Sequence, residues 1–383
     1  MIASAKPHFP KKDIAEITAN IEEVLQTGHL VRGKHIQAFE ESVCQYTKSK
    51  YALATNSGTS ALIIALFALG IKGKEVIVPT NTFIATPNAV TFAGGKPVFA
   101  DINLKDYCLD ISQVEAKINS DTAGVIIVHM AGILYPQIRE LRKLCDQRGL
   151  FLLEDAAHSF GAKLDQKMPG HFGDIACYSC YPTKIITTGE GGIITTRDKS
   201  LYEFCKKFNF YGHHLENIYP FEIIGANYRM PEISAILGRH QIKQVEFFVQ
   251  RRREIAQAYS CHLEKLGFIK HIPAPDNVRH VYYKYITLID EEYDAVGLMQ
   301  FLRKNGIMAD RDFYPPCHSQ PIYRNSFNAG DFPNANELQR RLLLLPMHTQ
   351  LTLSDVEKVI FFLKKFTQRM GRKRKYAINH SST

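Results

Sequence analysis

The sequence predicts an α/β protein: a largely parallel sheet with helices above and below it, followed by a smaller α+β unit. Three observations carry this. Between residues 51 and 196, apolar runs of four to six residues recur, among them EVIV, VIIVH and LFLLE. They are continuous rather than alternating, which marks strands buried on both faces. Helix-periodic segments separate them, and that alternation builds parallel sheets. From about Gln241 the rhythm changes, and longer helices flank isolated strands.

At 383 residues the chain can bury a large core and divides into two domains. Its 45% apolar and 22% charged residues are an ordinary globular composition. The longest apolar run, ALIIALFALG, is too short to span a membrane. The N-terminal MIASAKPHFPKKD lacks the apolar core of a secretory signal. A cytoplasmic protein without membrane insertion is therefore expected. Eight cysteines, without a framework spacing, read as reduced and mostly buried thiols. The tight pair Cys177-Tyr-Ser-Cys180 has no second ligand pair for zinc, and it sits on a strand rather than opening a helix. It reads as structural, and no metal is expected. The formal charge is +9, but the five basic residues of Arg369–Lys375 leave only +4 on the body. That tail reads as a solvated, disordered end, so no nucleic-acid partner is expected.

Taken in order, residues 11–26 place Ile14, Ile17, Ile21, Val24 and Leu25 at helical spacing, up to Thr27-Gly28. His29–Ile36 is loop-like, and Phe39–Tyr46 reads as a second helix. Tyr51–Thr55 is a short strand and Thr59–Leu69 a buried helix. Glu75–Val78, Pro97–Ala100, Val125–His129, Leu150–Glu154, Ile175–Ser179 and Ile193–Thr196 are strands. Thr86–Gly94, Ile111–Ile118 and Gln137–Arg148 are helices. Gln241–Leu266 reads as one long bridging helix, His280–Ile289 as a strand, and Ala295–Asn305, Asn334–Leu344 and Ser354–Phe366 as helices. The expected organisation is an N-terminal helical segment (1–26), a large domain (27–240), a bridging helix with a small C-terminal domain (241–368) and a basic tail (369–383).

Ligands of such sheets sit at the carboxyl ends of the strands, where His129, Asp155, Ser179 and Lys184 all fall. An acid ending one strand, with a hydroxyl and a lysine beyond another, is the layout that pyridoxal phosphate requires. That cofactor needs a lysine for its aldehyde and a carboxylate for its ring nitrogen. It also needs donors for its phosphate and a flat side chain against the ring. Asp155 suits the nitrogen; capping the AAHSFG segment is its bland alternative. Lys184, between Pro182-Thr183 and the GEGG turn, suits the aldehyde. Asn56-Ser57-Gly58-Thr59 opens a helix, whose free N–H groups suit a phosphate, although simple capping by Ser57 or Thr59 explains the same residues. Ser179 could add to that cradle. Phe83 in PTNTFIAT could cover the ring face or fill the core.

The pieces TGHLVRGKHIQAFE, NSGTSALIIAL, EVIVPTNTFIATPNAV, EDAAHSFGA, CYSCYPTKIITTGEGG, GANYRMPEISAILG, CHSQPIY and LPMHTQLT, in this order, resemble the DegT/StrS-type sugar aminotransferases. The resemblance runs from about Thr27 to Thr352. It implies the three-layer fold of type I pyridoxal phosphate enzymes, with the large domain holding the cofactor. It further implies that Lys184 holds the aldehyde and shuttles the proton, and that Asp155 pairs with the ring nitrogen. His158 would stand beside the ring hydroxyl and Phe83 against the ring. Gly58, Thr59 and Ser179 would hold the phosphate. Asn227 would reach the cofactor of the neighbouring subunit in a homodimer with shared active sites. Arg229 would meet the amino donor's carboxylate or the substrate, or else form an internal ion pair.

The implied reaction converts a keto-sugar, nucleotide-linked, into an amino-sugar with glutamate as donor; the cofactor passes through pyridoxamine phosphate. A cyclitol or other carbocyclic ketone is the alternative acceptor. The related dehydratases replace the lysine by His, whereas Lys184 is present here. A nicotinamide enzyme would need GxGxxG after its first strand and an acid about twenty residues on, and NSGTSA does not supply this. Two stretches depart from the family pattern: MAGILYPQI after His129, and Asp312-Phe313 before CHSQPIY. Specificity is expected to lie around them.

Overall fold

The structure, a computed structural model, describes residues 1–213, 220–312 and 315–370. Helix α1 (Lys11–Thr27) packs Ile17 and Val24 against Ile236 and ends on Gly28, left-handed at φ 70°. Helix α2 (Lys34–Thr47) starts inside the stretch expected to be loop. Its cap comes from far along the chain. The buried carboxylate of Glu232 accepts the N–H groups of Gly33 and His35 at 2.8 Å each, and of Ile36 at 3.3 Å. No local capping residue announces such a start.

Strands β1 (Tyr51–Thr55), β2 (Glu75–Pro79), β3 (Lys96–Ala100), β4 (Thr122–Val128) and β5 (Phe151–Asp155) then alternate with α3 (Gly58–Ala68), α4 (Ala85–Phe92), α5 (Ile111–Lys117) and α6 (Ile138–Arg148). The two-residue β6 (Lys163–Leu164) precedes β7 (Ile175–Ser179) and β8 (Gly192–Thr196). Next come α7 (Lys199–Phe208), α8 (Glu232–Lys243), α9 (Val245–Leu263), β9 (Ile269–Lys270), β10 (Val278–Arg279) and β11 (Tyr285–Ile289). Helices α10 (Ala295–Lys304) and α11 (Pro333–Arg341), strand β12 (Leu342–Leu345) and helix α12 (Leu353–Met370) complete the described chain.

The large sheet has seven strands in the order β1-β8-β7-β5-β4-β2-β3. From β7 to β3 every pair is parallel, as the buried apolar runs predict. Val76, Ile77 and Val78 in succession are fully buried, so both faces are covered. Strand β8 runs antiparallel to both β7 and β1. Its loop from β7 contains no crossover helix, and a parallel neighbour would require one. Helix α3 buries every residue from Ser60 to Leu66, as a helix enclosed on all sides must.

Three further expectations fail. Gln241–Leu266 is not one helix: α8 and α9 meet at a break on Gln244. His280–Ile289 is a strand only from Tyr285, because Tyr282 turns to φ 48°. Leu342–Leu344 leave the expected helix to form β12, which pairs with β11; a short apolar run fits either state locally, and its sheet partner decides. The buried side chains form two large clusters, one on the seven-stranded sheet and one around β11, β12, α10 and α12. Among the described residues no helix is long and apolar enough to cross a membrane. The basic tail from residue 371 onward lies outside the described residues.

Candidate active site

Strand register gathers the expected residues at one rim of the sheet. Thr55 and Ser179 both stand opposite Gly192, and Cys177 stands beside Asp155. The ends of β1, β7 and β5 therefore open on a single cavity of about 870 Å³. Gly58, Thr59, Phe83, Asp155, His158, Ser179 and Lys184 all line it.

Asp155 ends β5 and is buried. Thr86 Oγ1 donates to its Oδ2 (2.8 Å), and the Ala157 N–H to its Oδ1 (3.2 Å). Burial nevertheless holds its carboxyl above the usual aspartate range, against these bonds and the nearby Lys184 charge. Ser179 ends β7 and accepts the Tyr181 N–H (3.3 Å). Gly58 faces it so closely that a Cβ there would lie 2.8 Å from the Ser179 Cβ. Ser57 caps α3 by accepting the Ser60 N–H (3.0 Å). The N–H groups of Gly58 and Thr59 then head the first turn, beyond reach of intrahelical carbonyls. Phe83 lines the cavity with 64% of its surface exposed, which rules out the core alternative.

Lys184 sits in the loop between β7 and β8. Its Nζ lies 4.4 Å from the centre of the Tyr283 ring and donates to the Tyr283 phenol (3.4 Å). Thr183 Oγ1 shares that phenol at 3.1 Å. Burial alone would raise the Tyr283 phenol. The ammonium groups of Lys184 and Lys284, with the two hydrogen bonds, bring it below the ordinary tyrosine value. His158 stacks on the same ring at 4.5 Å. Burial first, then Lys184, Lys284 and His129, hold His158 well below the usual histidine range, so its ring is neutral.

Residues remote from this sequence neighbourhood form the opposite wall. Tyr283, Lys284, Asp310, Arg311, Asp312 and Gln320 line the cavity. Lys284 forms an ion pair with Asp312. Burial would lower the Lys284 ammonium, but Tyr283 and Asp312 hold it above the usual lysine value. Arg311 is turned away, donating to the carbonyls of Leu342 (3.0 Å) and Gln339. Thr86, Tyr283 and Lys284 escaped the sequence reading. Thr86 ends the segment PTNTFIAT, and nothing local in the sequence ties it to Asp155. Tyr283 and Lys284 were absorbed into an expected strand. Of the Asp312-Phe313 departure, Asp312 reaches the cavity and Phe313 lies outside the described residues.

Three expected residues stand apart. Asn227 is exposed, bridged to Phe210, and does not line the cavity. Arg229 holds its guanidinium over the rings of Phe210 (5.0 Å) and Tyr211 (5.1 Å). His129 is fully buried: its Nδ1 accepts the Tyr135 N–H (3.1 Å) and its Nε2 lies 2.9 Å from Glu154 Oε2. The other Glu154 oxygen accepts the N–H groups of Gly170, Phe172 and Gly173. That network braces the loops under the site. Cys177 and Cys180 are free, buried thiols.

The sequence model of the DegT/DnrJ/EryC1/StrS aminotransferase family matches residues 11–364. The chain belongs to this family. It is accordingly a pyridoxal phosphate-dependent aminotransferase. It is 35% identical to a GDP-perosamine synthase of Escherichia coli O157:H7, over 88% of this chain and 91% of that one. Among solved structures, DesI in the presence of its TDP-sugar product is 29% identical, with TM-score 0.89 over 97% of this chain and 94% of that one. A Streptococcus pneumoniae protein solved in PLP and PMP forms is 25% identical, with TM-score 0.88 over 96% of this chain and 99% and 98% of those chains.

Proposed function

We propose that this aminotransferase moves an amino group from glutamate to the ketone of a nucleotide-linked sugar. One observation carries the proposal. A lysine, a buried acid and an anion cradle from separate strand ends converge on one cavity, opposite a second wall of polar side chains. Relatives acting on GDP- and TDP-linked sugars support the acceptor class and leave the base open.

The residues fit the cofactor. The absence of a Cβ at Gly58 brings backbone N–H groups against Ser179, the geometry a phosphate takes at a helix head. The costly buried carboxyl of Asp155 suits a protonated ring nitrogen. When bound, pyridoxal phosphate supplies an aldehyde to carry the amino group and a ring to accept electrons. Lys184 holds the aldehyde carbon and moves the proton beside it. Phe83 covers one ring face, and neutral His158 stands by the ring hydroxyl. Gly58, Thr59 and Ser179 bind the phosphate. Asn227 completes the site of a second subunit in a homodimer.

The test is spectroscopic and chemical. Protein loaded with pyridoxal phosphate should absorb at the violet edge of the visible and lose that band on addition of glutamate. A panel of nucleotide-linked 3-keto and 4-keto sugars should then yield one amino-sugar. Lys184→Ala should lower turnover at least about a thousandfold, the scale of losing both covalent and proton-transfer catalysis. Near-normal turnover in that variant would sink the mechanism.

A further inference from the structure

The ion pair on the far wall lines the same cavity as Lys184 and is not among the residues expected to hold the cofactor. Lys284 leads into β11, with only 10% of its side chain exposed. Asp312, its partner, is 36% exposed at the cavity rim. The ammonium groups of Lys184 and Lys284 lie over one ring, 4.4 and 5.3 Å from the centre of Tyr283. Their separation is therefore below about 10 Å. An amino acid delivering its nitrogen where the Lys184 amine stands brings its carboxylates into that span.

Burying a lysine only to pair it with an acid contributes little to stability, because desolvation offsets the attraction. A half-exposed partner makes such a pair exchangeable. A second carboxylate can displace Asp312 into water without leaving the buried ammonium unpaired. Lys184 is committed to the cofactor and Arg311 to backbone carbonyls. Among the described residues lining the cavity, this leaves Lys284 as the cation for an incoming anion. The main chain holds it in place: its N–H donates to Ala131 (3.2 Å). Arg252, buried on α9, donates to the carbonyls of Tyr282 (3.0 Å) and Tyr283 (3.4 Å) just before it.

We propose that Lys284 is the carboxylate-binding residue for the amino donor, and that Asp312 holds it until the donor arrives. This rests on the transamination proposed above. Glutarate, which has glutamate's two carboxylates but no amine, isolates binding from turnover. Calorimetry on the cofactor-loaded chain should show glutarate binding that weakens about tenfold or more in Lys284→Met, the scale of one charge-assisted contact. Lys284→Arg should stay within about threefold of wild type, and Asp312→Asn should bind several-fold tighter, since it removes the internal competitor. Unchanged melting temperature and cofactor absorbance in Lys284→Met would show that the fold and the cofactor site persist. Unchanged glutarate affinity in Lys284→Met would overturn the proposal. So would a defect confined to the acceptor sugar's half-reaction, which would assign Lys284 to that substrate. Failure to take up pyridoxal phosphate would count against the transamination itself, and glutarate binding would still report on Lys284.

Discussion

Asp155 sets a stability cost against the chemistry proposed for it. With burial holding its carboxyl above the usual range, the cofactor-free fold binds its proton more tightly than the unfolded chain does. Its contribution is therefore full below the unfolded value near pH 4 and is lost as pH rises through the folded value. Asp155→Asn, which keeps an acceptor for the Ala157 N–H, should raise the melting temperature of the cofactor-free chain by a few degrees at pH 8. That advantage should shrink toward pH 4, and the same variant should lose most transaminase activity. Equal melting curves at both pH values would show that the carboxylate carries no burden without its ring partner. Asp155 was legible in the sequence because it ends an apolar run, and Lys184 because it lies in the short polar loop that follows another. Tyr283 was not, since its tie to Lys184 spans 99 residues and its own neighbourhood, HVYYKY, has a strand's composition.

Elements were legible where their own residues decide them and hidden where a distant partner does. The parallel strands follow from consecutive apolar residues. The reversal of β8 and the assignment of Leu342–Leu345 to a strand depend on neighbours across the sheet. Edge strand β1 shows the same dependence. Its Ala54 N–H donates to Glu40 of α2 (2.8 Å), and its Ala54 carbonyl accepts from Asn209 (3.3 Å). Side chains thus cover backbone groups that an open edge would expose. Burial pushes the Glu40 carboxyl up to about 7. Its contribution to folding is full below about pH 4.5 and is lost as pH rises to about 7. Glu40→Gln, keeping the acceptor oxygen, should be neutral at pH 4.5 and stabilising by about 1–3 kcal/mol at pH 8, measured by urea unfolding. A gain independent of pH would mean that Glu40 does not titrate across folding.

At the scale of the whole molecule, one chain leaves its site without Asn227 and its surface with apolar side chains near that residue. Ile224 is 93% exposed, Phe221 52% and Tyr211 48%. Exposed apolar side chains close in sequence to Asn227 suit a self-complementary contact. In the proposed homodimer, Asn227 crosses that contact to the partner's phosphate, so Lys184 and Asn227 of any one site come from different chains. Inactive variants then complement each other. Lys184→Ala alone should be inactive, and Asn227→Ala should lose about tenfold in cofactor affinity, the scale of one hydrogen bond to a charged group. At limiting cofactor both parents are nearly silent. Unfolded together and refolded as an equal mixture, half of the dimers pair one variant with the other, and each of these carries one site with both native residues. Activity should recover to about a quarter of wild type. Recovery no greater than the mean of the two parents would place Asn227 in the service of its own chain, and a monomer in sedimentation would remove the shared site altogether.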